Sequence, residues 1–138
     1  MQPMGRGRGT RSSVAALGVL AILVVLGLAA KGWRGPLAGW ANDYLAGVVY
    51  VVFWVVLAKA AWPRARTARV AAIVLLATCA IETLQLLRAP LLETIRATWL
   101  GRALIGTTFS WLDFPHYVVG SVIGAGVANR VVTRPAAG

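Results

Sequence analysis

Acidic side chains are scarce in this sequence: four of 138 residues, against fourteen Lys and Arg, and charged residues of all kinds make up 13% of the chain. A soluble domain carries about 25% charged residues, so the composition excludes an ordinary water-facing surface. Cysteine and histidine are nearly missing as well. The one thiol, Cys79, lies inside an apolar segment, cannot close an intrachain disulfide, and reads as a small packing residue. His116 has no cysteine or second histidine at ligand spacing, so neither a metal nor another bound cofactor is expected. No Ser/His/Asp spacing argues for a nucleophilic hydrolase.

What the chain has is apolar sequence. Hydrophobic residues make up 59% of it, gathered into blocks long enough to cross a bilayer core of roughly 30 Å. The net charge of +10 raises the question of nucleic acid. The arginines, however, stand in short clusters between apolar blocks and not on one polar face, so nucleic acid is not expected as a partner.

Residues 1–13 are Gly/Arg-rich without apolar periodicity and read as a disordered cytoplasmic tail. Residues 14–30 hold no charge and form the first span, which ends at Lys31 and a Gly/Pro/Trp stretch. A cleavable signal peptide has a similar outline; the segment is read as retained. A second span covers about 44–62, with Lys59 near enough to its end to snorkel and Trp62-Pro63 closing it. The basic turn with Arg64, Arg66 and Arg69 follows. A third span covers about 68–87, its polar residues Thr78, Glu82, Thr83 and Gln85 all in the second half.

Residues 88–112 are too polar to span but space Leu91, Leu92, Ile95 and Trp99 helically, which suits a segment lying in the interface. The fourth span starts after Asp113 and runs to about 130. There Gly120, Gly124 and Ala128 place small side chains on one stripe for close helix packing, within the chain in preference to a dimer. The expected fold is therefore all-α, an integral membrane four-helix bundle with an interfacial helical segment between helices three and four. Residues 14–131 form its single transmembrane domain and 132–138 a second cytoplasmic tail. Trp33, Trp40, Trp62, Trp99 and Trp111 fall near the expected interfaces and read as anchors.

With the N-terminus inside, nine of the fourteen basic residues lie on the cytoplasmic side, while Asp43, Glu82, Glu93 and Asp113 all fall at or near the outer ends. The positive-inside rule favours this orientation, in an inner membrane with both termini in the cytoplasm. Asp43, Glu82, Gln85 and Asp113 then share one membrane depth. Glu82 and Gln85, three apart, lie on one helical face that Arg88 continues. A carboxylate among acyl tails is costly, so Glu82 should point inward and find a partner, with Arg96 or Arg88 able to supply the charge. Asp43 and Asp113 stand equally well where helix N-caps are expected.

The stretch Ile81-Glu82-Thr83-Leu84-Gln85-Leu86, then Ala89-Pro90, Ile95-Arg96-Ala97-Thr98, Leu100-Gly101, Gly106, Phe109, Trp111, Asp113, Tyr117 and Gly120, resembles small bacterial membrane proteins catalogued as a domain of unknown function, the 2809 family. The likeness covers most of residues 42–127. More loosely, the acid with Gln three residues on, then Arg, then Asp and Gly opening the last helix is similar to the VanZ-like group, associated with teicoplanin resistance. The resemblance implies a cell-envelope setting and carries over to Asp43, Glu82, Gln85, Arg96, Asp113 and Gly120. Asn42 stands where a Gly is expected, Leu87 where an aromatic is, and Pro115-His116 interrupts an apolar helix start.

Three functions compete. In the first, Asp43, Glu82, Gln85, Arg96 and Asp113 form an outward-facing site that binds a cell-envelope lipid headgroup, Arg96 taking phosphate and the acids taking hydroxyls or amines. In the second, the protein is an accessory or scaffold subunit of a larger membrane complex. An intramembrane hydrolase using Asp43, Glu82 and Asp113 ranks third, so membrane lipids or a membrane-protein complex are the expected partners and enzymatic activity is not the leading expectation.

Overall fold

The computed structural model describes residues 6–87, 89–106 and 108–132, and every regular element among them is helical. Six helices follow in order: α1 Arg6–Gly32, α2 Ala38–Ala61, α3 Thr67–Leu84, α4 Pro90–Arg96, α5 Trp99–Ile105 and α6 Asp113–Val131. Three of them are long and apolar enough to cross a membrane. They are Arg11–Gly32 at mean hydropathy 2.7, Ala38–Ala61 at 1.9 and Thr67–Leu84 at 1.7. The shortest, 18 residues, extends about 27 Å at 1.5 Å per residue, close to the thickness of a bilayer core. Their outer faces stay apolar, with Leu17, Ile22, Ile73 and Leu76 exposed on the surface.

Helix α1 begins at Arg6, so residues 6–13, expected as tail, are instead its first turns. Helix propagates cheaply once an apolar span has nucleated it. Tertiary contact also holds this end, since Ser12 Oγ donates to Val131 O at 3.1 Å. The remaining parts of the expected tails, residues 1–5 and 133–138, lie outside the described residues. From α1 the chain turns back through Leu37, held at φ 58, a left-handed conformation that costs a branched side chain about 1–2 kcal/mol. Helix α2 then contains one π-helical segment, Ala41–Leu45. Such an insertion shifts the facing of the residues before it and recurs at functional sites.

Proline at 63 removes a donor and stops α2 at Ala61. Lys59 does not snorkel from there to the interface. It is 1% exposed, its ammonium folded inward to donate to Pro63 O at 2.9 Å and Ala65 O at 2.5 Å. The free carbonyls of the turn offer it acceptors closer than water.

Helix α2 packs against α1, α3 and α6. Its buried Val51, Val52, Val55 and Val56 form the core together with Leu20, Ala71 and Ala128. The small stripe of α6 lies on α2. A Cβ on Gly120 would come 2.9 Å from Val48 O, and one on Gly124 would come 2.9 Å from Val55 Cβ. Lipid tails are as apolar as valine, so close van der Waals packing and polar ties must hold such helices together. Ser121 Oγ to Ala71 O at 3.0 Å and Thr67 Oγ1 to Asn129 Oδ1 at 2.5 Å supply two such ties between α6 and α3.

The connection from α3 to α6 folds as the short helices α4 and α5. Thr98 caps α5 by accepting from Gly101 N at 3.0 Å. A Cβ on Gly101 would lie 1.8 Å from Ile95 O, so the corner between α4 and α5 admits no larger residue. Leu91, Trp99, Leu100 and Trp111 are all exposed on this segment.

Candidate functional site

Antiparallel helices bring the end of α3 beside the starts of α2 and α6, and polar groups near the ends of α3 and α6 meet there around Glu82. Its side chain is 2% exposed and points into the protein. Oε1 accepts from the Ser110 backbone N–H at 3.0 Å. Oε2 accepts from the Tyr117 hydroxyl at 2.8 Å and from Gln85 Nε2 at 3.1 Å. These donors disperse a charge whose burial would otherwise cost several kcal/mol.

Gln85 extends the network, its Nε2 also donating to Ile105 O at 2.6 Å. The next residue, Gly106, has φ 79, and a Cβ there would meet Gln85 Nε2 at 2.6 Å. Both the backbone conformation and the space therefore call for glycine. Tyr50 Oη donates to Leu104 O at 3.1 Å, so α2 and α3 each hold the end of α5.

Asp113, the first residue of α6, hydrogen-bonds the Glu82 carboxyl and lies within electrostatic reach of Asp43 and His116. Burial, then that hydrogen bond and the neighbouring negative charge of Glu82, raise its carboxyl from 3.8 to about 7. Asp43 sits exposed in the π-helical segment. Neither aspartate caps a helix: the N-cap positions are Leu37, Trp40 and Leu112, none with a side-chain bond to the helix. His116 stacks on Tyr44 with centroids 4.6 Å apart and meets the edge of Trp40 at 6.4 Å.

The structure thus brings Glu82, Gln85 and Asp113 into hydrogen-bonded contact, with Asp43 within electrostatic reach of Asp113. Arg96 is held elsewhere. It is 8% exposed and donates to Leu84 O at 3.1 Å and Leu87 O at 3.4 Å, where it closes the end of α3, and it pairs with Glu93 at 3.4 Å. A cation on the carbonyl end of a helix is favourably placed. Arg88, the other expected partner of Glu82, lies outside the described residues. Two members of the network were not singled out from the sequence, Tyr117 and the Ser110 amide. Tyr117 had a signal, since it stands four residues after Asp113 and therefore on the same helical face. A backbone amide leaves none. Among the described residues, no group of three His, Cys, Asp or Glu side chains is arranged to hold a metal ion.

Fold and site together define a membrane protein, all-helical among the described residues, with three helices long and apolar enough to cross a membrane and a buried carboxylate network at one end. Residues 37–121 match the family described as "Protein of unknown function (DUF2809)", and the chain belongs to that family. The matched stretch contains every residue of the network. Among curated proteins and among solved structures, nothing matches the chain significantly.

Proposed function

We propose that this is a four-span protein of a bacterial inner membrane whose outer rim binds the amine-bearing headgroup of a cell-envelope lipid. Helix α6 is its fourth span, residues 114–131, beginning after Asp113. The Ser12–Val131 bond supports this count, because it sets the start of α1 beside the end of α6. Both termini then belong to the cytoplasmic side, the side that carries the larger basic cluster.

One observation carries the binding reading. Asp113 lies within electrostatic reach of both Glu82 and Asp43, yet among the described residues the ion pair is Arg96 with Glu93 and involves none of the three. The rim is left with negative charge that an ammonium group would compensate by charge-assisted hydrogen bonds. Trp40 and Tyr44 gather around His116 at the same end, and aromatic rings of this kind suit the methylenes beside an ammonium. Arg34 and Arg102, exposed at the same end, are available to the phosphate in place of Arg96.

Native mass spectrometry of the purified protein released from nanodiscs tests this. Phosphatidylethanolamine should be retained over phosphatidylcholine, and Asp43→Asn with Asp113→Asn should weaken retention by roughly tenfold, the equivalent of one charged hydrogen bond. Retention that survives the double substitution refutes the reading.

A second reading, an accessory subunit of a larger membrane complex, is favoured by the bonds of Glu82 and Gln85, all of which are spent inside the chain. A partner that copurifies in fixed proportion would support it.

A further inference from the structure

At the end of the molecule opposite Glu82 the charge is of one sign. Arg11 lies near the start of α1, Arg64 and Arg66 in the turn after α2, Arg69 in the first turn of α3 and Arg130 at the end of α6. All five are exposed, and all four acids of the chain lie at the other end. Two hydrogen bonds gather three of these arginines at one corner. Thr67 Oγ1 donates to Asn129 Oδ1 at 2.5 Å, and the neighbours of those two residues in the chain are Arg66 and Arg130. Ser12 Oγ donates to Val131 O at 3.1 Å, and their neighbours are Arg11 and, again, Arg130. The corner is also held in place, because the buried Lys59 ammonium fixes the turn that carries Arg64 and Arg66 through Pro63 O and Ala65 O. Helix α3 opens there with no acid in its first turn and no side-chain cap, so its amide dipoles add to the positive potential.

The geometry points to a binding site for an anionic phospholipid headgroup at the end of α6 to which α1 and α3 each bond, with Arg11, Arg66 and Arg130 around the phosphate. A lipid fits better than a free anion. One turn beyond Arg11 and Arg69 the surface becomes apolar, with Val14 and Leu17 exposed on α1 and Ile73 exposed on α3, so the acyl chains have a face to lie against. Basic clusters just outside a span attract anionic leaflets, each Lys or Arg contributing on the order of a factor of five in affinity. This site stands apart from the outer rim, and loss of phosphatidylethanolamine binding would leave it untouched.

The test uses the full chain in nanodiscs of phosphatidylcholine mixed with phosphatidylglycerol, reading the lipid that stays bound by native mass spectrometry. The wild-type protein should enrich phosphatidylglycerol. Arg11→Gln with Arg66→Gln and Arg130→Gln should weaken that binding by roughly a hundredfold, and the corresponding Lys triple variant should keep most of it. Lys31→Gln and Lys31→Ala, at the opposite end, should leave it unchanged. Should the Gln triple variant fail to fold, the wild-type protein decides the matter alone: enrichment must fall in about 1 M salt, where the Debye length is about 3 Å. Enrichment that withstands salt, that the outer substitutions reduce equally, or that inorganic phosphate competes away overturns the proposal.

Discussion

Replacing Glu82 by Gln keeps the volume and changes one acceptor into a donor. In the native network Oε1 faces the Ser110 N–H at 3.0 Å, and Oε2 faces Tyr117 Oη at 2.8 Å and Gln85 Nε2 at 3.1 Å. An amide nitrogen in the Oε2 position lets the tyrosine hydroxyl turn and accept, but it stands against the amide nitrogen of Gln85. Flipped over, it stands against the Ser110 N–H. Gln85 does not rotate freely to relieve the first conflict, because its Nε2 also holds Ile105 O at 2.6 Å. Either orientation opposes two donors at a position 2% exposed. An orphaned buried donor costs about 1–3 kcal/mol, whereas hydrogen bonds inside membrane proteins average about 0.6 kcal/mol. The expected loss is therefore about 1–2 kcal/mol, between these two scales. Reversible unfolding in mixed micelles with rising dodecyl sulfate fraction measures it. Tyr117→Phe alone should cost about 1 kcal/mol, and combined with Glu82→Gln it should cost less than the sum, since the two share a bond. A Glu82→Gln protein as stable as the wild type would refute the claim that this carboxylate is an acceptor for three donors.

Two further outcomes follow from the same contacts. The Asp113 carboxyl, raised in the folded protein from 3.8 to about 7, keeps a proton over a range where the unfolded chain has lost it. Its contribution to stability is full below about pH 4 and declines as pH rises through about 7; unfolding midpoints across that range should therefore fall with pH in the wild type and flatten in Asp113→Asn, and an unchanged slope contradicts the assignment. Gly124→Ala puts a methyl group 2.9 Å from Val55 Cβ and 3.2 Å from Val52 Cα, while Gly126 has nothing within 4 Å. By the same unfolding assay the first should lose about 1–3 kcal/mol and Gly126→Ala should be neutral or slightly stabilising; equal effects would remove the packing argument.

Membrane residence and the course of the three apolar helices were legible because long runs without charge have few other uses. The inward aim of Glu82 was legible from the cost of the alternative. Less could be read where one polar residue serves two local purposes equally well. Asp43 and Asp113 precede apolar runs, as N-caps do, and nothing in the spacing reveals that a π-helical insertion carries Asp43 past the cap position. Lys59 lies close enough to its helix end to reach water. Its turn inward depends on the carbonyls of Pro63 and Ala65 in the turn after the helix, and hydropathy does not register them. Arg96 is compatible with Glu82 by membrane depth alone. The structure spends it on Leu84 O, Leu87 O and Glu93, contacts that depend on how α4 folds back under α3.

Helix α6 connects these separate observations. It is not among the three helices that satisfy the criterion for a membrane span, yet it packs on α2, α3 and α1. Several of its groups are matched to a neighbour: Ser121 to Ala71, Asn129 to Thr67, the Val131 carbonyl to Ser12, and Gly120 and Gly124 to the valines of α2. Beside its exposed Val118, Val122 and Ile123, close contacts of this kind hold the helix against its neighbours. The same helix delivers Asp113 and Tyr117 to Glu82, one to two turns from the glycine at 120. The valines of α2 and Glu82 of α3 therefore both bear on where α6 sits. A methyl group added at Gly124 presses α6 against Val52 and Val55 of α2, and because α6 also carries Tyr117 and Asp113 to Glu82 on α3, Gly124→Ala should shift the pH profile that Asp113 governs; an unchanged profile would show that the two contacts of α6 are independent.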